Sequence, residues 1–470
     1  MADSIDPKWA WAAYEPSEQH PWDLKKAGHL FRRAAFGATH AELQQALEDG
    51  PQKAITRLLK GMPESKDYAS NIAAIMGPSR KNIAIARGTW IVRMLGPHPL
   101  REKLTLFWHN HFATSVAKVN SAAYMVGQYE LMYRHALGPF GPMLQEMSKD
   151  PAMMIWLDTI QSTQSTPNEN YARELMELFS LGIGNYSETD IREAARAFTG
   201  WEIRNGKFSF NKSQNDPGDK TFFGKKGKWQ GEDIVRMCLE HAACPRFIAR
   251  KLFRAYVSET IEPTAELIEP LATFYRESGM HTGLLLEKIL RSNLFFASLA
   301  YRSKIKSPVE FALGIARGLE IRISATNIAN ALEAMGQNLF APPSVKGWDG
   351  GQAWLNGQTL LFRQNLALGL CSRSNFVVVP VQRQKEEEDW VVEPIELFER
   401  HGCKSAEAKV DFLLNAFLQG DVATETRQRL LDYAKQEPAA PVWWADSERE
   451  RHAARALAHL VLTLPEFQLC

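Results

Sequence analysis

The sequence predicts an all-α fold: a large multi-helix domain with a small β-hairpin and irregular excursion near residues 201–230. Apolar residues recur at helical spacing through most of the 470 residues, the pattern of helices that bury one face in a core. Helix stop and start residues punctuate these stretches, with Ser or Asn before them and Gly after them. One region, "WEIRNGKFSF" (201–210), instead places Asn-Gly between residues of strand type, which predicts a tight hairpin.

Taken in order, "HAELQQALEDG" (40–50) and "PQKAITRLLKG" (51–61) each read as a helix with a glycine stop, the second opened by proline. Further helices are predicted over 82–96 and over "PLREKLTLFWHNHFATS" (99–115). In "SETDIREAARAFTGW" (187–201), Ser187 is a good N-cap, Asp190 stands at the third helical position and Gly200 is a stop. After the hairpin comes an irregular, glycine-rich loop to about 231, then helices to about 336. "APPSVKGWDGGQAWLNG" (341–357) is too rich in Gly and Pro for either regular state and predicts a long structured loop.

This gives an N-terminal extension over 1–26 and a main helical domain over 27–373. A linker or surface excursion over 374–392 holds the charge run "RQKEEED", and three or four helices over 393–470 pack on the main domain.

Composition narrows the function. Hydrophobic residues are 45% and charged residues 23% of the chain, so it has a sizeable core. A formal net charge of +1 argues against a nucleic-acid binder. Five cysteines without a CxxC pair argue against a disulfide framework or a cysteine zinc site. The start, "MADSIDPKWAWAAYEPSEQHPWDLKK", has neither an apolar h-region nor twin arginines, and no apolar run reaches membrane-spanning length. The expectation is a soluble, cytoplasmic protein that does not enter a membrane. The chain is Trp-rich, with thirteen; these side chains fill cores and also build stacking platforms for sugars and flat ligands.

Four polar clusters are candidates for chemistry. In "PNENYARELMELFSLG" (167–182), Asn168 is the predicted N-cap, and Glu169 can pair with Arg173 one turn on. Asn170, Glu174 and Glu177 fall on one face. The helix dipole accounts for Glu169 but not for Glu174 and Glu177, which lie past the first turn and could be metal ligands or an acid/base pair. In "FWHNHF" (107–112), His109 and His111 point to different faces of a continuous helix and reach one ion only if it unwinds there. The letters HNH do not make a nuclease here, because the ββα-metal pattern around them is missing. "NDPGDKTFFG" (215–224) carries Asp216, Asp219 and Lys220 in a tight loop. The glycine-rich stretch 342–365 carries Lys346, Trp348, Asp349, Trp354, Asn356 and Arg363 without a nucleotide-binding fingerprint.

With "HLFRRAAFG" (29–37), "KDPAMMIWLD" (149–158) and "PPSVKGWDGGQAWLN" (342–356), these segments make the chain resemble the bacterial domain of unknown function 1800 family from about residue 27 to the end. The resemblance implies a mostly helical fold whose motifs converge on one site, and no defined activity. Relatives are often exported by a twin-arginine signal and encoded beside a sulfatase-like family. Where the family shows His-Asp, this chain has Asn215-Asp216, and Ser344 stands where asparagine is common.

Three readings follow. The first is an enzyme with Glu174, Glu177, His109, His111 and Asp216 as catalytic groups and Asn168, Asn170, Arg173, Lys220, Lys346, Trp348 and Trp354 holding a small molecule. His109, His111, Glu174 and Glu177 would bind a divalent metal, with mixed donors that suit Zn, Mn or Fe. The second is a metal-free, glycan-active enzyme with paired carboxylates. The third is a non-catalytic protein that engages a protein partner, in which Arg32, Arg33, Arg173, Arg192 and Arg196 pair with the carboxylates in structural networks.

Overall fold

The periodic stretches fold as helices whose ends are set by the residues that cap them. Thr39 Oγ1 accepts the Glu42 N–H at 3.2 Å while Glu42 Oε2 accepts the Thr39 N–H at 2.7 Å, which starts His40–Lys60. The two helices expected over 40–61 form back to back within this stretch: Gly50, at φ 71°, breaks the first and Pro51 opens the second. Ser187 and Asp190 form the expected reciprocal cap on Glu188–Ala197. The computed structural model describes residues 5–321, 323–372, 393–436 and 445–470, and the expected linker 374–392 lies outside them. Helix makes up 63% of the protein. No described helix is long and apolar enough to cross a membrane.

Among the described residues, strand is confined to two small antiparallel hairpins. Trp201–Arg204 pairs with Lys207–Phe210 around Asn205 and Gly206, both at positive φ as a primed turn requires. Lys220–Phe222 pairs with Lys225–Gly227 where an irregular loop was expected. Side chains of the Glu188–Ala197 helix hold this second hairpin: Glu193 Oε2 accepts the Thr221 N–H at 2.7 Å and Asp190 Oδ1 accepts the Phe223 N–H at 2.9 Å. Such long-range carboxylate contacts leave no local strand signal in the sequence.

Two hydrophobic cores form. The first draws mainly on residues 10–300, and the second joins the helices after residue 308 to Ile83–Met94 and Ala122–His135. The helix Pro99–His111 lies at their seam. Leu100, Leu104 and Trp108, at four-residue spacing, enter the first core, and Leu106 enters the second. Each such buried side chain contributes about 1.5–3 kcal/mol. Lys103, Phe107 and Asn110 are left on a third face, which borders a cleft. Trp11, Trp90, Trp108 and Trp201 are core packers. After the undescribed stretch, Pro394–Arg400, Ala406–Leu418, Thr424–Lys435 and Asp446–Leu462 supply the four C-terminal helices.

Candidate active site

The cleft holds about 440 Å³ and is walled by Phe107, Asn110 and His111, by the end of the helix Ala243–Tyr256, by residues 304–310, and by the loop carrying Lys346, Trp348 and Trp354. That loop is clamped to the seam helix. Asn110 Oδ1 accepts the Trp348 N–H at 2.7 Å. The approach requires Gly347, whose φ is +83° and where a Cβ would lie 2.5 Å from the Asn110 carbonyl oxygen.

His109 belongs to the same clamp. Its Nε2 accepts the Phe340 N–H at 3.2 Å, and the ring is enclosed by Trp90, Phe340 and Trp348. Burial alone pushes its pKa down to about 3, so it is neutral. It is a packing residue, not a wall of the cleft.

His111 does reach the cleft. A carbonyl can only accept, so the His111 Nε2–H donates to Phe179 O at 3.1 Å, which leaves Nδ1 to accept from Lys251 Nζ at 2.9 Å. Lys251 Nζ also donates to Leu178 O at 3.3 Å. Both carbonyls lie at the end of a π-helical turn, Leu175–Ser180, where the backbone has no partner for them. Lys251 sits over the Phe247 ring and has no carboxylate within ion-pair distance among the described residues. Burial, with the Arg254 charge adding to it, pulls its pKa down to about 8.

Glu174 and Glu177 extend from the same α-to-π helix. Burial and then the Glu177 charge push the Glu174 carboxyl up, while Arg173 and Lys346 oppose this. Lys346, on the cleft wall, acts on Glu174 through its charge. Glu177 accepts the Tyr186 hydroxyl at 2.8 Å. Arg173 pairs with Glu169, as expected, and with Glu188 through two bonds of 2.9 Å, not with Glu174. Neither Glu174 nor Glu177 has an ion pair among the described residues. Glu174→Gln should therefore melt within about 1 °C of wild type. A fall of roughly 3–5 °C, the size expected when a buried cation loses its partner in a chain this long, would show a structural ion pair instead.

Asn168, Asn170, Asp216 and Lys220 lie outside the cleft walls. Asn168 Oδ1 accepts the Asn170 N–H at 2.9 Å, and the helix Asn170–Glu174 starts one residue later than expected, with Glu169 at its N-cap. Arg196 bonds Asp216 at 2.7 Å and holds its carboxyl below the usual range. Lys220 Nζ donates to the carbonyls of Asp216 and Gly218, and Asn215 Nδ2 to that of Thr199. These groups, Asn215 among them, brace their own loop. The networks of the third reading form at Arg173 and Arg196. Arg33 instead donates to Ala300 O and Ser303 Oγ, and Arg192 to Thr189 Oγ1.

The proposed metal set does not assemble. The helix stays regular to His111, so the two rings diverge into different surroundings. Both His111 nitrogens are engaged. Among the described residues no group of three or more His, Cys, Asp or Glu side chains is placed to share an ion. Sequence reasoning missed Lys251, Arg254 and Asn110. The run "ARKLFRAY" (249–256) carried the only hint, a lysine between two arginines beside the buried stripe Ile248, Leu252 and Tyr256.

A family model described as "Protein of unknown function (DUF1800)" matches residues 29–469. No curated protein and no solved structure matches the chain.

Proposed function

The chain belongs to this family of unknown function, and from the chemistry of its cleft we propose that it is an enzyme that binds a small anionic molecule and moves protons with Lys251 and His111. The 2.9 Å bond between Lys251 Nζ and His111 Nδ1, at the wall of a substrate-sized cleft, carries the reading. Phe179 O fixes the tautomer of His111, which keeps Nδ1 a proton acceptor toward the amine. Lys103, Lys251, Arg254, Lys304 and Lys346 outnumber Glu259, Glu310 and Asp349 around the cleft, and Lys103 pairs with Glu310 at 2.6 Å. The surplus of cations favours a carboxylate or phosphate group on the ligand.

Small carboxylates and phosphates should raise the melting temperature of the wild-type protein, and Arg254→Ala with Lys346→Ala should abolish the rise. Mass-spectrometric screening of the same compounds should find turnover that Lys251→Met removes. A protein that no anion stabilises, or whose turnover survives Lys251→Met, would overturn the reading.

A second reading, a glycan hydrolase working through Glu174 and Glu177, is favoured by the raised Glu174 carboxyl beside a second glutamate. It requires that Glu174→Gln and Glu177→Gln each abolish oligosaccharide cleavage that Lys251→Met leaves intact.

A further inference from the structure

Resting on the anion-binding, proton-moving cleft, we propose that Lys251 is a nucleophile that forms an imine with the carbonyl carbon of a small anionic aldehyde or ketone. The geometry separates Lys251 from the other lysines of the cleft. Lys103 Nζ is occupied by Glu310 and the carbonyls of Arg32 and Ala35. Lys304 Nζ donates to Ala255 O at 2.7 Å. Lys346 is exposed. Lys251 alone among them combines an apolar neighbour, Phe247, with a histidine whose lone pair faces the amine. An amine desolvated beside another cation and without a carboxylate to stabilise its ammonium form is the kind that adds to carbonyls; Arg254, one turn on, is that cation.

The step balances without an outside reagent. The Nζ lone pair attacks the carbonyl carbon, and the carbonyl π electrons move to oxygen. The new C–N adduct sheds a proton from nitrogen to His111 Nδ1. His111 returns that proton to the oxygen, the nitrogen gives up its second proton to the oxygen by the same route, and the oxygen leaves as water while the nitrogen lone pair forms the C=N bond. Carbonyl compound and amine give imine and water, with no change of oxidation state. Phe179 O keeps the His111 Nε2–H in place throughout. Arg254 and Lys346 are placed to hold the anionic group, and the cleft has room for both ends of such a molecule.

The test is reductive trapping. Full-length protein is incubated separately with glyoxylate, pyruvate and uncharged propionaldehyde, each with cyanoborohydride, and adducts are located by peptide mass spectrometry. A parallel sample receives acetic anhydride, which reports amine reactivity without requiring an imine. Glyoxylate or pyruvate should modify Lys251 at least about ten-fold faster than exposed lysines. Propionaldehyde should show less preference for it. Arg254→Ala with Lys346→Ala should remove the preference for the anionic reagents. Lys251→Met, checked by its melt, should lack the adduct. Acetylation of Lys251 above the level of exposed lysines, without a carbonyl adduct, would overturn the imine and leave the proton-transfer reading standing. Lys251 no more reactive than exposed lysines toward either kind of reagent would overturn both.

Discussion

Replacing Glu102 by leucine should cost about 3–5 kcal/mol, because it leaves a largely buried guanidinium without its counter-charge and two buried donors without an acceptor. Glu102 is 1% exposed and accepts from Arg93 Nε, Trp90 Nε1 and the Tyr129 hydroxyl, each at 2.9 Å. Burial opposes its charge and raises its pKa, while Arg93 and the two other donors work against that rise. The carboxylate in turn helps keep Arg93 charged against its own burial. The loss is a large share of the roughly 5–15 kcal/mol that holds a domain folded. In a chain of 470 residues the entropy of unfolding is about 1 kcal/mol per degree, so the melt should fall by only roughly 3–5 °C, and a urea midpoint is the more sensitive measure. Adding Arg93→Met to Glu102→Leu should recover part of the loss, since an apolar pair can replace a buried ion pair at little cost, while the Trp90 N–H and the Tyr129 hydroxyl stay without their acceptor. A single variant as stable as wild type, or a double variant no better than the single, would contradict this account.

Asp150→Asn should stabilise the protein at pH 8 by a few kcal/mol and much less at pH 5. Asp150 caps the helix Pro151–Trp156, with Oδ1 accepting the Met153 N–H at 3.0 Å and the Gln128 Nε2–H at 2.8 Å. Burial pushes its pKa up to about 7, against these donors and from an ordinary value near 3.8. Between those values the folded protein holds a proton that the unfolded chain has lost. Stability therefore falls as pH rises from about 4 to about 7, and the loss is complete above 7. At roughly 1.4 kcal/mol per pKa unit, the full effect is of order 4 kcal/mol. Asparagine keeps the acceptor oxygen and removes the charge. Gln128 Oε1 is buried without a partner, and an amide flip would let it accept a hydrogen bond from the neutral side chain. Urea midpoints of both proteins at pH 5 and pH 8 decide the matter; an equal difference at the two pH values would rule out Asp150 as the source.

Helix content, the Ser187–Asp190 cap, the Asn205-Gly206 hairpin and the Glu169–Arg173 pair were all legible in the sequence. Each depends on residues a few positions apart, so spacing and side-chain type state the interaction completely. The second hairpin was not legible, because Asp190 and Glu193 hold it from a helix about thirty residues earlier. The polar helix at 167–182 meets Lys251 and His111 through its Leu178 and Phe179 carbonyls. Its side chains were the visible part; the backbone contribution came from a π-helical turn that residue type does not announce.

From its own letters the chain determines that it is helical, where several helices start and stop, and that it carries histidines and glutamates beside apolar faces. Tertiary structure decides which of these groups meet. His109 and His111 are two residues apart, yet a regular helix sends one into the second core and the other to the cleft. Lys251 lies 140 residues from His111 and bonds it. Helical geometry fixes neighbours over three or four residues, whereas a cleft is formed wherever separate helices fail to fill the space between them, and only their packing sets which side chains line it.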